Sequence, residues 1–192
     1  MTTSSLTVGQ ITGSSSNSGV INLPTANKII GADSGSIRTP GMVLQVVQGS
    51  LTGSGASVST TSTSFVSLGL SANITPLYSS SKILINCQIT QIGNNTNAGG
   101  GEFAYYRNST NIFQPGFAPT GGNAYMYYAL AAANSWVPTT NMQYLDAPGS
   151  TSTQTYAVYW RSYTGSAMYA GGVAGAASNN ATHTITVMEI AA

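Results

Sequence analysis

Lys82-Ile83-Leu84-Ile85-Asn86-Cys87-Gln88-Ile89-Thr90-Gln91-Ile92 is the stretch that decides the fold. Ile83, Ile85, Cys87 and Ile89 recur at every second position, with Lys82, Asn86 and Gln88 among the residues between them. A period of two places the first set on one face of an extended strand and the second set on the other. A helix would scatter both sets around its circumference. The stretch therefore predicts a strand with one face in a core and one in water.

Working outward, similar runs recur between clusters of turn residues. Met42 to Gln48 reads as a strand, Gly49 to Ser64 as a polar Ser/Thr/Gly loop. Phe65 to Thr75 holds two short strands or one bent strand, ended by Pro76. Gly93 to Gly101 is a loop rich in Gly and Asn, and Glu102 to Asn108 is the next strand. Ile112-Phe113 is short and stops at Pro115-Gly116. Ala124 to Ala131 is Tyr-rich and strand-like, and Gln143 to Ala147 is stopped by Pro148-Gly149. Thr155 to Tyr163 puts Tyr156, Val158 and Trp160 on one face, and Thr182 to Ile190 closes the chain. Only Tyr127 to Asn134 has the alanines for a helical turn. Eight to ten short strands with turn signals between them predict a sandwich or barrel. The expected fold is all-β: an antiparallel, jelly-roll-like β-sandwich knob over residues 41–192.

Pro40-Gly41 marks the expected boundary. Residues 1–40 read as an extended N-terminal arm in which Leu6, Val8, Ile11, Ile21 and Leu23 are isolated apolar residues among Ser, Thr, Gly and Asn. Such a stretch should not fold alone, so a sister subunit or a larger assembly is expected to hold it.

Charge is scarce: five basic and four acidic side chains in 192 residues, about 5%, where an average soluble domain has about 25%. A net charge of +1 with 42% hydrophobic residues is not the low-hydrophobicity, high-charge signature of disorder. Lys28, Arg38, Lys82, Arg107 and Arg161 are scattered, so no basic patch for nucleic acid is expected. A lone cysteine, Cys87, excludes an intrachain disulfide framework and a cysteine-rich zinc site. It reads as a small buried hydrophobe in its strand. No apolar run of about 18 residues occurs, so no membrane insertion is expected. The first residues lack the basic and apolar regions of a signal peptide. A virion protein released by lysis would reconcile cytoplasmic synthesis with an extracellular composition.

The supply of reactive groups is short, and no catalytic residue, metal site or cofactor is expected. His183 is the only histidine; it has no local carboxylate partner, and no G-x-S-x-G elbow exists for a triad. It reads as a strand-edge or interface histidine. The carboxylates are Asp33, Glu102, Asp146 and Glu189. Their spacing matches no metal loop. Asp146 and Glu189 fall at strand ends, where pairing with Arg or Lys is expected, and Glu102, after three glycines, is expected to be exposed. Gly99-Gly100-Gly101 lacks the Lys-Ser/Thr and helix of a phosphate loop.

Binding chemistry is better supplied. Eleven tyrosines and two tryptophans offer apolar faces with polar tips. On strands of period two, half of each cluster should be core; the other half is left for a subunit interface or for stacking on sugar rings. Tyr105, Asn123, Tyr125 and Trp136 are the candidate ligand contacts, presented with the loops at 93–101 and 115–123.

Several segments also resemble a known family. Ile21-Asn22-Leu23-Pro24-Thr25, Lys28-Ile29-Ile30-Gly31-Ala32-Asp33 with Gly35-Ser36-Ile37, and Pro40-Gly41-Met42-Val43-Leu44-Gln45-Val46-Val47-Gln48 are similar to fibre proteins of tailed bacteriophages, notably marine and cyanobacterial ones. So are Ile74-Thr75-Pro76 leading to Ser79-Ser80-Ser81-Lys82-Ile83-Leu84-Ile85, then Tyr144-Leu145-Asp146-Ala147-Pro148 and the ending Thr184-Ile185-Thr186-Val187-Met188-Glu189-Ile190-Ala191. The resemblance implies a virion-located homotrimer. Its N-terminal arm, with Leu6, Val8, Ile11, Ile21 and Leu23, would anchor it to other tail or capsid proteins. Its β-knob would meet a host surface polysaccharide. A threefold assembly would also hide sheet edges that no lysines protect. The competing readings are a capsid decoration or head-fibre protein that stabilises the particle without a receptor, and a glycan-cleaving enzyme drawing on Glu102 and Asp146.

Overall fold

The computed structural model describes Thr25 and residues 37–94, 100–113, 136–173, 176–177 and 181–192. The chain divides into two compact units, Met1–Ile37 and Arg38–Ala192. The second unit contains, among the described residues, β1 (Val43–Thr52), β2 (Val58–Thr60), β3 (Val66–Ile74), β4 (Lys82–Asn94), β5 (Gly101–Arg107) and β6 (Thr110–Phe113). It continues with β7 (Trp136–Asp146), β8 (Gln154–Ser162), β9 (Met168–Ala170), β10 (Gly172–Val173), β11 (Ala176–Ala177) and β12 (Thr182–Ile190).

Eight of these strands form nested antiparallel pairs. β1 pairs with β12, β3 with β8, β4 with β7, and β5 with β6. The first strand of the eight thus meets the last, the second meets the seventh, and so on inward, as in one long folded hairpin. Rolling that hairpin joins β12 to β4 and β8 to β5. Two layers result, β1-β12-β4-β7 and β3-β8-β5-β6, with β9 and β2 extending the first beyond the end of β12. This connectivity is a jelly roll, and the fold is an all-β antiparallel sandwich as expected.

The core lies between the layers and follows strand alternation. Ile83, Ile85, Cys87 and Ile89 of β4 and Ile185 and Val187 of β12 point inward from the first layer. Leu68 and Leu70 of β3, Phe103 and Tyr105 of β5, and Tyr156, Val158 and Trp160 of β8 meet them from the second. Each such large side chain contributes roughly 1.5–3 kcal/mol on burial. The rings of Phe103 and Trp160 stack at 6.1 Å across β5 and β8.

Two stretches, β1 and β7, differ from the sequence reading, and β3 takes one of the two forms expected for it. β1 runs on through Gly49 to Thr52, and a 3-10 turn (Gly53–Ala56) and β2 follow where a loop was expected. The extension is held by its partner, since the ladder continues to Thr52 opposite Thr182. β3 is a single bent strand: Gly69, at φ +88°, sits where the register with β8 slips between Ser67 and Ser71. β7 starts at Trp136 rather than Gln143 and carries Pro138. Its described ladder is with β4 alone, and an edge strand tolerates a missing N–H. The strand expected over 124–131 and the helical turn over 127–134 lie outside the described residues.

At the start of the sandwich unit, Arg38 already belongs to it. Its guanidinium lies 4.2 Å over the Tyr78 ring and donates hydrogen bonds to Ser80 Oγ and the Ala192 carbonyl. The turn at Pro40-Gly41 therefore falls just inside the unit, with Gly41 at φ +82°.

Candidate functional site

Tyr105, expected to touch a ligand, is instead a core residue. It is fully buried, and its hydroxyl donates to the Met142 carbonyl at 2.7 Å. It shares strand parity with Phe103, which points inward. Its neighbour Tyr106 has the opposite parity and is half-buried on the outer face of the second layer. Trp136 begins β7 opposite Gly93. Asn123 and Tyr125, and the arm residues Leu6, Val8, Ile11, Ile21 and Leu23, lie outside the described residues.

That outer face carries an aromatic platform. Tyr159 of β8 stands opposite Ala104 of β5, and Tyr106 of β5 stands opposite Ala157 of β8. Each small alanine leaves room for the ring on the neighbouring strand to lean across, and both alanines are buried. The two tyrosine rings stack at 3.9 Å with planes 20° apart. Phe65 packs against Tyr106 at 6.2 Å and 57°. The Arg161 guanidinium lies 4.8 Å over the Phe65 ring, a cation–π contact. Exposed Ser67 on β3 and exposed Asn111 on β6 stand opposite Tyr159 and Tyr106 and give the platform a polar rim.

Glu102 closes one end. It is 1% exposed, not on the surface as expected. Arg161, its ladder partner on β8, binds it through Nε at 2.9 Å and Nη2 at 2.8 Å. Both nitrogens converge on one oxygen, Oε2, in a charge-assisted pair. Glu102 is therefore committed to orienting Arg161.

Asp146 and Glu189 hold contacts within the sandwich. Asp146 accepts from Arg107 Nη1 and from the Tyr156 hydroxyl, both at 2.7 Å. Among the described residues Glu189 is paired with neither Arg nor Lys, against expectation. It accepts from Gln45 Nε2 at 2.6 Å and from the backbone N–H groups of Leu77 and Tyr78 at 2.9 and 3.3 Å. Asp146 and Glu189 flank Ile83 in the ladder. The fully buried Ile83 lies between these two carboxylates in the ladder. Among the described residues no three His, Cys, Asp or Glu side chains gather, and no helix is long and apolar enough to cross a membrane. Cys87 is buried in β4, and burial pushes its thiol up to about 11.

His183 is interior rather than at an edge. It points inward from β12, which lies between β1 and β4. Nε2–H donates to the Ala56 carbonyl at 2.7 Å, and Nδ1 accepts the Thr90 N–H at 3.2 Å. A protonated ring would lose that acceptor. Burial holds its pKa below 6.5, against the opposing Ala56 hydrogen bond. Burial also works against the Glu189 charge, but its hydrogen bonds win and its pKa is lowered from 4.5.

Both shifts make the unfolded chain bind more protons than the folded one in acid. Stability should therefore fall as pH drops below about 6.5, the His183 part, and again below about 4.5, the Glu189 part. Urea unfolding midpoints at pH about 7.5, 5.5 and 4 check this. A midpoint level between the first two would refute the role given to His183.

The described fold defines a jelly-roll protein with a surface aromatic platform and no assembled catalytic cluster among its described residues. No family model matches the chain, and no curated protein matches it. Among solved structures it is similar to VP2 in the infectious bursal disease virus VP2 subviral particle, at 12% identity and a TM-score of 0.39. The match covers 88% of this chain and 46% of that one, so this chain spans about half the length of VP2.

Proposed function

We propose that this chain is a structural protein of a tailed-bacteriophage virion. In this reading it is a short homotrimeric fibre that docks to other virion proteins by residues 1–40 and presents the jelly roll to a host-surface glycan. The observation that carries the attachment role is the Tyr106–Tyr159 stack with Phe65, half-buried on an outer sheet face beside serine and asparagine. A ring face not taken up by the Tyr106–Tyr159 stack can cover the apolar side of a pyranose, and hydroxyls and amides bond its rim. The fibre-like segments in the sequence support the virion assignment. The jelly roll is compatible with it, since viral and lectin domains both use that fold, although a fold alone does not specify a function. No catalytic step, metal or cofactor is invoked.

A glycan array probed with the purified full chain tests the reading. Wild type should bind a subset of host-type polysaccharides, and the Tyr106→Ala/Tyr159→Ala variant should bind them at least about tenfold more weakly, equivalent to about 1.4 kcal/mol. Unchanged affinity in the variant would refute the platform. Absence of any binding by wild type would refute the receptor role and favour a capsid decoration or head-fibre protein.

A further inference from the structure

The outer face of the other layer points to a different partner. Along β1, β12, β4 and β7 the outward side chains line up in rungs. One rung is apolar across the whole sheet: Val46, Met188, Leu84 and Leu145. Val46 is 56% exposed and Leu145 53%. The next rung is Gln48, Thr186, Asn86 and Gln143, and the one after is Ser50, Thr184, Gln88 and Asn141. Lys82, in the ladder row beyond the apolar rung, is the one charged side chain at the outward positions of these four strands among the described residues.

We propose that this face is an interface between copies of this chain. An exposed apolar row of this kind marks an association surface. The chemistry of the rest of the face selects the partner. A nucleic acid, an anionic membrane or a charged protein would find no complementary charge there. Gln, Asn, Ser and Thr each carry both donors and acceptors, so an identical surface can satisfy them. The size suits a small, dissociable interface. Four strands about 4.8 Å apart and nine residues long at about 3.3 Å give roughly 570 Å² in projection, and more once corrugation is counted. A stable interface needs about 800 Å² per partner. A face that meets its own copy closes as a twofold pair, so the inference rests neither on the threefold reading nor on glycan binding.

Sedimentation equilibrium of the full chain at about 50 µM tests it. Wild type should show an oligomeric mass. Val46→Lys/Leu145→Lys, and separately Gln143→Lys, should shift it to the monomer mass with an unchanged far-UV spectrum, because both place repelling charges at exposed positions. Ser67→Lys, on the opposite outer face, should keep the oligomer. A monomeric wild type, or variants that keep the wild-type mass, would overturn the proposal. A dissociable dimer would uphold the interface while removing the threefold fibre, and loss of glycan binding would leave it untouched.

Discussion

Replacing Gly49 with alanine is expected to lower the melting temperature by about 6–12 °C, from a cost of about 3 kcal/mol at roughly 2–4 °C per kcal/mol for a unit of this size. Gly49 lies in β1 opposite Ile185, where β1 passes close to β3 of the other layer. A Cβ there would sit 1.9 Å from the Ser71 carbonyl oxygen and 2.8 Å from its carbon. Neither backbone yields easily. β1 is tied to β12 on one side of the closure, and β3 is tied to β8 on the other. Overpacking usually costs 1–3 kcal/mol where side chains can move aside; here the obstacle is peptide backbone. The cost therefore sits at the upper end. Gly149→Ala serves as the control, because its Cβ would meet nothing within 4 Å and only its φ of +65° is disfavoured. A Gly49→Ala melting temperature no lower than that of Gly149→Ala would mean that the layers separate freely at this corner.

The Asp146→Ala variant is expected to lose about 2–4 kcal/mol. Removing one partner of a buried pair leaves the other charge uncompensated, and such losses run to about 3–5 kcal/mol. Arg107 is 24% exposed and can turn partly to water, which trims the figure. The Tyr156 hydroxyl cannot, because Tyr156 is fully buried, and an unsatisfied buried hydroxyl costs about 1–3 kcal/mol. Asp146→Ala/Arg107→Met/Tyr156→Phe should recover part of the loss, since it removes the stranded groups. Urea unfolding measures both. A triple variant less stable than Asp146→Ala would show that the cluster contributes net attraction beyond satisfying its own members.

Much of the sandwich was legible because alternation reports directly on burial. β4 and β12 were readable almost to their ends, and Tyr156, Val158 and Trp160 were correctly grouped on one face of β8. What alternation cannot show is pairing. The second half of β1 is polar and glycine-containing, and it stays extended because β12 hydrogen-bonds it. β2 and β9 are three residues each and stay extended because β9 pairs with both β2 and the end of β4. Tyr105 departs from the sequence expectation for a similar reason. Tyr105 and Tyr106 are adjacent and equal in chemistry, and only strand parity separates them. Phe103, two residues before Tyr105, was the available signal.

Glu102 and His183 were misplaced for one shared reason. An ionisable side chain is buried where its partners meet it, and those partners are remote in sequence. Arg161 reaches Glu102 only because β5 and β8 are in that register. Ala56 and Thr90 reach His183 only because the turn after β1 and the middle of β4 converge on β12.

Composition and a period of two are local properties, so the amino-acid order alone carries an all-β chain poor in reactive groups and rich in tyrosine. The tertiary structure alone decided which tyrosines face solvent, which apolar residues form an exposed rung and which charges are buried. Those follow from strand register and nested pairing, which join residues more than a hundred positions apart.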